Sequence, residues 1–541
     1  MIHDFGASGD AFSPDQSWDL CIVGAGAAGL ALASEFLGTP WRVVVLESGL
    51  REPDARGEDL NALDSVGLRH DGWRDGRVRC LGGTTRAWGG QLVPMRASEL
   101  QSRPWIPDSG WPLALEEIEP YYRRVERLLQ IEGPPYDGTV WERLRIAPPA
   151  LDSADFCIRF SQWAALGRRN FAVLWRRELE RSRNVSVLLD ATTTAVECAP
   201  GGGRCEAMSV RSRSGREGRV RARWYVVACG GIETARLLLA SPTSDSRGVS
   251  NSGVGNGGVA NSSGLVGRFF QDHVSYVAGE VEPASRRVVQ NLFDPRYVGS
   301  TMYSVKVEPT DAAMRREGWL NAMAHIAFQI PDALGWMELR RILRSLQAGR
   351  LELPSRDEAL AMLRGSAELT RLVLTRYLAN RRRSPDAGKI RLLIDSEQAP
   401  NGASRVLLDT RVDALGMARA RLDWRITDLE RRTLTGFARR IATEFERLGL
   451  GNIRLAGAPD FESRDQPGAA RDIFHHMGTT RMSTSPRAGV TRPDLRCHDV
   501  ENLFVAGAAV FPTGGIANPT FTALALSLRL ADHLKAARQV A

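Results

Sequence analysis

The 541-residue sequence predicts an α/β protein. A Rossmann-like domain is assembled from separated stretches of chain, and a second, α+β domain with an antiparallel sheet is inserted between them. Three observations predict this. Residues 18–48 read strand–helix–strand, with a glycine-rich turn where the first strand meets the helix. Residues 502–537 return to that style at the other end of the chain, as a short apolar strand and a long Ala- and Leu-rich helix. The middle differs: polar turns, broken strand-like runs and amphipathic helices of its own.

Taken in order, residues 18–24 (WDLCIVG) and 42–48 (RVVVLES) are near-continuous apolar strands, which belong in a parallel sheet covered on both faces. Residues 27–38 form the helix between them. The stretch 72–92, GWRDGRVRCLGGTTRAWGGQL, holds six glycines and can approach a ligand closely. Residues 113–129 are helical, with Pro120 predicting a break or kink. Residues 185–198 and 219–229 read as strands, and the basic segment 204–218 as a surface hairpin. The Ser-, Gly- and Asn-rich stretch 242–263 reads as a long irregular crossing. Strand-like pieces follow over 273–330. Helical patterns around Trp336–Gln347, 356–363 and 367–383 suggest an insertion or cap. Residues 403–424 read as a strand with turns, and 430–448 as an amphipathic helix ending at Gly449. The first domain then takes 15–110, 185–273 and 466–541. The second takes 111–184 and 274–465, with the cap near 332–383.

Composition is that of a globular chain, and the length allows large cores without staples. The seven cysteines form no C-x-x-C pair, so a zinc site is not expected and a reducing, cytoplasmic setting is. The first residues carry no basic-then-apolar leader pattern, and no apolar run is long enough to span a bilayer. A net charge of +8 raises the question of nucleic acid, but the basic residues are spread thinly, and none is expected as a partner. The densest run, Arg381-Arg382-Arg383, reads as a solvated helix end; the alternative is a docking patch for an acidic partner or a membrane surface.

Gly24, Gly26 and Gly29 make G-x-G-x-x-G directly after a strand and at the opening of a helix. The first allows the tight turn, the second lets backbone approach a pyrophosphate, and the third lets helix and strand pack closely. Free N–H groups of the first helical turn favour phosphate. Glu47 closes the second strand; its carboxylate suits ribose hydroxyls and repels a 2′-phosphate, which disfavours NADP.

These pieces do not choose between FAD and NAD. The sequence resembles the glucose–methanol–choline (GMC) oxidoreductases in GAGAAG (24–29), RVRCLGGTTRAWGG (77–90), VVACGGIETARLLL (226–239), GLVGRFFQDH (264–273), SEQAPNGASRV (396–406), HHMGTTRM (475–482) and NLFVAGAAVFPTGGIANPTFTALAL (502–526). The likeness is to the pyranose-oxidase and sugar-dehydrogenase side. Residues 332–383 match poorly. The resemblance implies FAD, held by Gly24, Gly26, Ala27, Ala28, Gly29, Glu47, Ser48, Gly82, Gly83, Thr84, Trp88, Gly89, Gly90, Thr193, Gly507, Ala508, Asn518, Pro519 and Thr520. Some sugar oxidases of the family tether FAD through a histidine before that tryptophan. Here the residue is Ala87, so FAD is expected to be noncovalent.

Oxidation of an alcohol needs a base for the hydroxyl proton and a hydride acceptor, flavin N5 in this family. Histidine suits the base role because its ordinary pKa lies near neutrality. The chain has eight. The resemblance selects His475, at the start of H-x-x-G-T, with Asn518 of G-G-I-A-N-P as the group that shares the substrate oxygen. Asn518 before Pro519 also reads as a helix N-cap. His476 is expected to point elsewhere, and His325, in the run MAHIAF, to be a satisfied core histidine. No metal is expected. The implied activity is oxidation of a CH–OH group of a sugar, glycoside or related polyol; the alternative is a bulkier apolar alcohol such as a sterol or aliphatic alcohol. The sequence selects no electron acceptor among O2, a quinone or another, and sets no oligomeric state.

Overall fold

The structure is a computed structural model, and it describes residues 1–7, 17–242, 257–329, 336–347 and 353–540. Most of the 242–263 crossing lies outside the described residues.

A six-stranded parallel sheet runs in the order Ile2–Asp4, Val185–Leu189, Val43–Leu46, Trp18–Val23, Ala222–Val227, Leu503–Val505. Every residue of Val43–Leu46, Val185–Leu189 and Leu503–Val505 is buried, as expected of strands covered on both faces. The strand order reverses at Trp18–Val23, which has Val43–Leu46 on one side and Ala222–Val227 on the other. Ligands in such sheets bind at that switch, beyond the carboxyl ends of the strands. The helices Ala27–Ser34 and Pro519–Val540 pack together beside it. The first residues of the chain add an edge strand, Ile2–Asp4, paired with Val185–Leu189.

A nine-stranded sheet, antiparallel in its pairings, is built mainly from the middle of the chain. Its core order is Gly451–Leu455, Val274–Pro283, Ile390–Ser396, Ala322–Phe328, Thr301–Pro309, Phe156–Trp163, Gln91–Leu92. The 403–424 region is the hairpin Arg405–Val412 and Ala418–Trp424, and its second strand pairs in parallel with Leu63–Gly67. Leu63–Gly67 and Gln91–Leu92, both within the stretch assigned to the first domain, therefore share sheets with the middle of the chain across the boundary drawn from sequence. The basic 204–218 stretch forms Cys205–Arg211 and Glu217–Val220, an antiparallel hairpin.

Of the break or kink expected at Pro120, the break does not occur: Leu115–Leu129 is one helix. Pro120 is exposed and is the sixth residue of the helix, where its missing N–H forfeits one hydrogen bond, to Glu116 O. Ile118, Tyr122, Val125 and Leu129 are buried, and the Tyr122 hydroxyl meets Thr522 Oγ1 at 2.7 Å, so tertiary packing against Pro519–Val540 holds the helix through the proline. The cap region forms three helices, Trp336–Gln347, Arg356–Arg364 and Ser366–Leu378.

Candidate active site

A groove opens at the switch point. Gly24 turns there with φ +102°, and a Cβ on it would meet Ala228 O at 2.8 Å. A Cβ on Gly29 would lie 1.9 Å from Gly24 O, whereas one on Gly26 would meet nothing within 4 Å. The three glycines thus do three different things, and only Gly26 leaves open space beside the backbone. The groove wall includes Gly24, Gly26, Ala27, Ala28, Glu47, Ser48, Gly83, Thr84, Thr193, Gly507, Ala508, Pro519 and Thr520. The hydroxyls of Thr192 and Thr193, buried in that wall, have no hydrogen-bond partner. A dinucleotide fits these features: open backbone at the turn, helix N–H groups behind it, and wall hydroxyls lacking partners.

Glu47 does more than was expected of it. Ala25 N–H donates to its Oε2 at 2.9 Å and Gly49 N–H to its Oε1 at 2.8 Å, so the carboxylate also braces the glycine turn. Burial pushes its pKa up, against the pull of those two N–H groups.

Six of the expected cofactor residues lie off the groove wall. Gly29 serves helix packing. Gly82, Gly89 and Gly90 let the loop pack: added Cβ atoms would meet Ala172 at 3.0 Å, the Trp163 ring at 2.8 Å and the Arg169 side chain at 2.7 Å. Trp88 donates through Nε1 to Arg169 O at 2.8 Å and lies edge-on to Phe171. Asn518 lines the neighbouring cavity instead. Sequence reasoning missed Asn61, Arg77, Arg79, Cys229, Gly230, Glu233, Phe474 and His476 in the wall. Gly230 and Gly231 sat in the quoted 226–239 block as a strand–turn–helix, and that was the available signal.

A second cavity, about 370 Å3, adjoins the groove, and His475 lines both. The His475 Nε2 faces Asn518 Nδ2 at 3.4 Å, across 43 residues of sequence. The Asn518 amide is therefore turned towards the histidine, and its Oδ1 makes no hydrogen bond, so it does not cap the following helix. The other ring nitrogen, His475 Nδ1, lies 2.8 Å from His273 Nδ1, and His273 Nε2 lies 2.8 Å from Gly515 O. His273 ends the quoted GLVGRFFQDH block, and its partnership with His475 was not foreseen. Burial, and secondarily His273, lowers the His475 pKa to about 4.

Buried carboxylates hold this arrangement. Asp272 Oδ1 accepts from His475 N–H at 2.9 Å. Glu397 Oε1 accepts from Gly515 N–H at 3.2 Å, and Glu99 Oε1 from Ile516 N–H at 2.7 Å, fixing the loop that presents Asn518. Arg103 grips both oxygens of Glu397 at 2.7 Å. Burial would raise the Glu99 pKa, but Arg159 and Arg96 outweigh it and hold it at about 2.

The floor of the cavity is one face of the nine-stranded sheet. Ser304, Lys306, Met323, His325 and Asp395 come from its adjacent strands, and Gln91, Trp163, Phe293 and Phe328 add to the wall. The expectation that His325 is a satisfied core histidine fails: its Nδ1 has no hydrogen bond and stands 3.6 Å from Asp395 Oδ2. Two-residue alternation along Ala322–Phe328 turns His325 to the cavity, although the run reads as uniformly apolar around it. Burial, then the Lys306 charge, lowers its pKa to about 4.

His476 points away from His475, into a buried cluster with His70 and Asp272. His70 Nδ1 accepts from Trp73 N–H at 3.3 Å, so its Nε2 carries the proton given to Asp272 Oδ2 at 3.2 Å. That proton occupies the lone pair a metal would need.

Residues 400–527 match the family model described as GMC oxidoreductase. The chain is 25% identical to the 6'''-hydroxyparomomycin C oxidase of Streptomyces lividus, over 97% of this chain and 93% of that one. It is 26% identical to the paromamine 6'-oxidase of Streptomyces fradiae, over 96% and 92%. Among solved structures, the pyridoxine 4-oxidase of Mesorbium loti superposes with a TM-score of 0.56 at 17% identity, covering 95% of this chain and 99% of the other.

Proposed function

We propose, from the premise that the chain is a GMC oxidoreductase, that it oxidises a hydroxyl-bearing carbon of a sugar, glycoside or related polyol to the carbonyl. FAD is the cofactor and, when bound in the groove, supplies the hydride acceptor. The residues that would hold it are those of the groove wall. Ala87, where some sugar oxidases of the family carry the histidine that tethers FAD, offers no atom for that bond, which supports noncovalent attachment.

His475 is the proton acceptor in this reading, and the hydrogen-bond chain behind it fixes which nitrogen acts. Gly515 O can only accept, so His273 Nε2 must carry a proton. A neutral His273 then has a lone pair on Nδ1, which must accept from His475 Nδ1–H. A neutral His475 is left with its lone pair on Nε2, the nitrogen beside Asn518. Asn518 Nδ2 is a donor, which agrees with that assignment from the other side. The substrate hydroxyl would give its proton to His475 Nε2, while the Asn518 amide steadies the charge developing on the same oxygen. His273 acts as a positioning residue that keeps the ring oriented and the correct nitrogen bare.

The polar cavity floor carries the choice of a polyol over an apolar alcohol. Lys306, His325 and Asp395 stand together, and His325 Nδ1 and Asp395 Oδ1 have no hydrogen-bond partner. A substrate rich in hydroxyls can meet such groups. An apolar alcohol would leave each desolvated, at about 1–3 kcal/mol apiece. The test is anaerobic flavin reduction across a panel of hexoses, glycosides, alditols, sterols and fatty alcohols. Bleaching by the polyols alone is expected. Bleaching by the sterols or fatty alcohols alone would replace this reading with the apolar one. Re-oxidation with O2 or a quinone then identifies the electron acceptor.

A further inference from the structure

Nine of the fifteen large hydrophobic side chains exposed among the described residues fall within 343–378, on or beside the three cap helices. Leu360 and Leu363 are 49% and 69% exposed, and on the next helix Val373, Leu374, Tyr377 and Leu378 are 52%, 50%, 75% and 81% exposed. Spacings of three and four residues put each set on one helix face, the pattern of a stripe meant for burial. The helices pack on one another, and Leu372 turns inward to the cavity. The stripe itself faces outward. Isolated exposed leucines need no explanation, but a concentration of this kind marks an interaction surface.

The charge of the same segment says what the surface meets. Residues 336–378 hold eight arginines against five acidic residues, a surplus of three; Arg381, beyond the last helix, pairs with Asp294, and Arg382 and Arg383 line the cavity. Arg356, Arg364 and Arg371 are exposed on the same helices as the stripe. Helices with apolar residues on one face and arginines beside them lie in the interface of an anionic bilayer, with leucines among the acyl chains and guanidinium groups at the headgroups. A second copy of the chain fits poorly, because apposing two such faces would bring two surpluses of like charge together. No helix among the described residues is long and apolar enough to cross a membrane, so the contact would be peripheral.

We propose that the cap helices of residues 336–378 dock this protein on an anionic lipid surface. The proposal does not depend on the catalytic reading. The test is flotation of the full-length, FAD-loaded protein with vesicles of phosphatidylcholine alone and of equal parts phosphatidylcholine and phosphatidylglycerol. The protein should partition onto the mixed vesicles, weakly or not at all onto the neutral ones, and less as salt screens the arginines. The double variant Leu374→Asp, Leu378→Asp should lose partitioning by roughly tenfold or more while keeping its FAD and its turnover of soluble substrate. Arg356→Glu with Arg364→Glu should lose the preference for the anionic vesicles. No partitioning by the parent, or partitioning undiminished in the leucine variant, overturns the proposal. So does sedimentation showing a parent dimer that the leucine variant abolishes, which would assign the face to a second copy.

Discussion

At the scale of single residues, the base and its partner lead to two predictions. His475→Ala should keep its FAD but slow flavin reduction by roughly 10²–10⁴-fold, the usual loss on removing a general base. Asn518→Ala should slow it by about 10²–10³-fold, the loss of a donor to developing charge. His476→Ala, on the far side of the backbone with its Nε2 3.9 Å from Asp272 Oδ2, should lose less. Stopped-flow reduction under argon checks all three; a parent-like rate in His475→Ala would move the base elsewhere. The second prediction concerns pH. His475 must be neutral to accept a proton, and its pKa is lowered from the ordinary 6.5 to about 4 by burial and by His273. The reduction rate should therefore stay level from neutrality downward and fall only below about pH 4. A pH-jump rate profile falling near pH 6.5 would mean that the histidine is not held as described.

At the scale of elements, the glycine turn separates two kinds of glycine that one motif writes alike. Gly26→Ala adds a methyl group to open space at the groove, so the protein should fold with a near-parental melting temperature yet retain less FAD. Gly29→Ala would push a Cβ to within 1.9 Å of Gly24 O, and the helix must move off the strand. Its melting temperature should drop, by the several degrees that about 1–3 kcal/mol of overpacking implies. Thermal unfolding with flavin release checks both; equal loss of stability in the two variants would refute the distinction. The same reasoning explains what was legible in 77–90. A glycine-rich block announces close approach, but whether to a ligand or to Trp163 and Arg169 depends on which chain runs alongside.

At the scale of the whole molecule, buried histidines make the fold sensitive to mild acid. His475, His476 and His325 have pKa values lowered from 6.5 to about 4, 3 and 4, in each case chiefly by burial. An unfolded chain takes up protons near pH 6.5 that the folded chain refuses until about pH 4, so stability should fall as pH drops across that interval. The buried carboxylates Glu99 and Asp272, held at about 2, give up their contribution only at lower pH. A melting temperature that declines between pH 6.5 and 4, and declines less in a His475→Gln, His325→Gln double variant, is the expected result; a level profile would contradict it.

The amino-acid order alone determined the parallel sheet, the glycine turn and the family resemblance, because these rest on short-range patterns (apolar runs, glycine spacing and contiguous motifs), and it was the resemblance that pointed to His475 and Asn518. The continuous helix through Pro120, the second role of Glu47, the turn of His325 into the cavity and the His273 link behind the base were decided by tertiary structure. Each depends on a neighbour distant in the chain: Thr522 for the helix carrying Pro120, Ala25 for Glu47, Asp395 for His325, and His475 and Gly515 for His273. Local periodicity fixes which way a strand or helix alternates. Which buried group stands opposite, and hence which proton sits on which nitrogen, is set only when the separated segments pack.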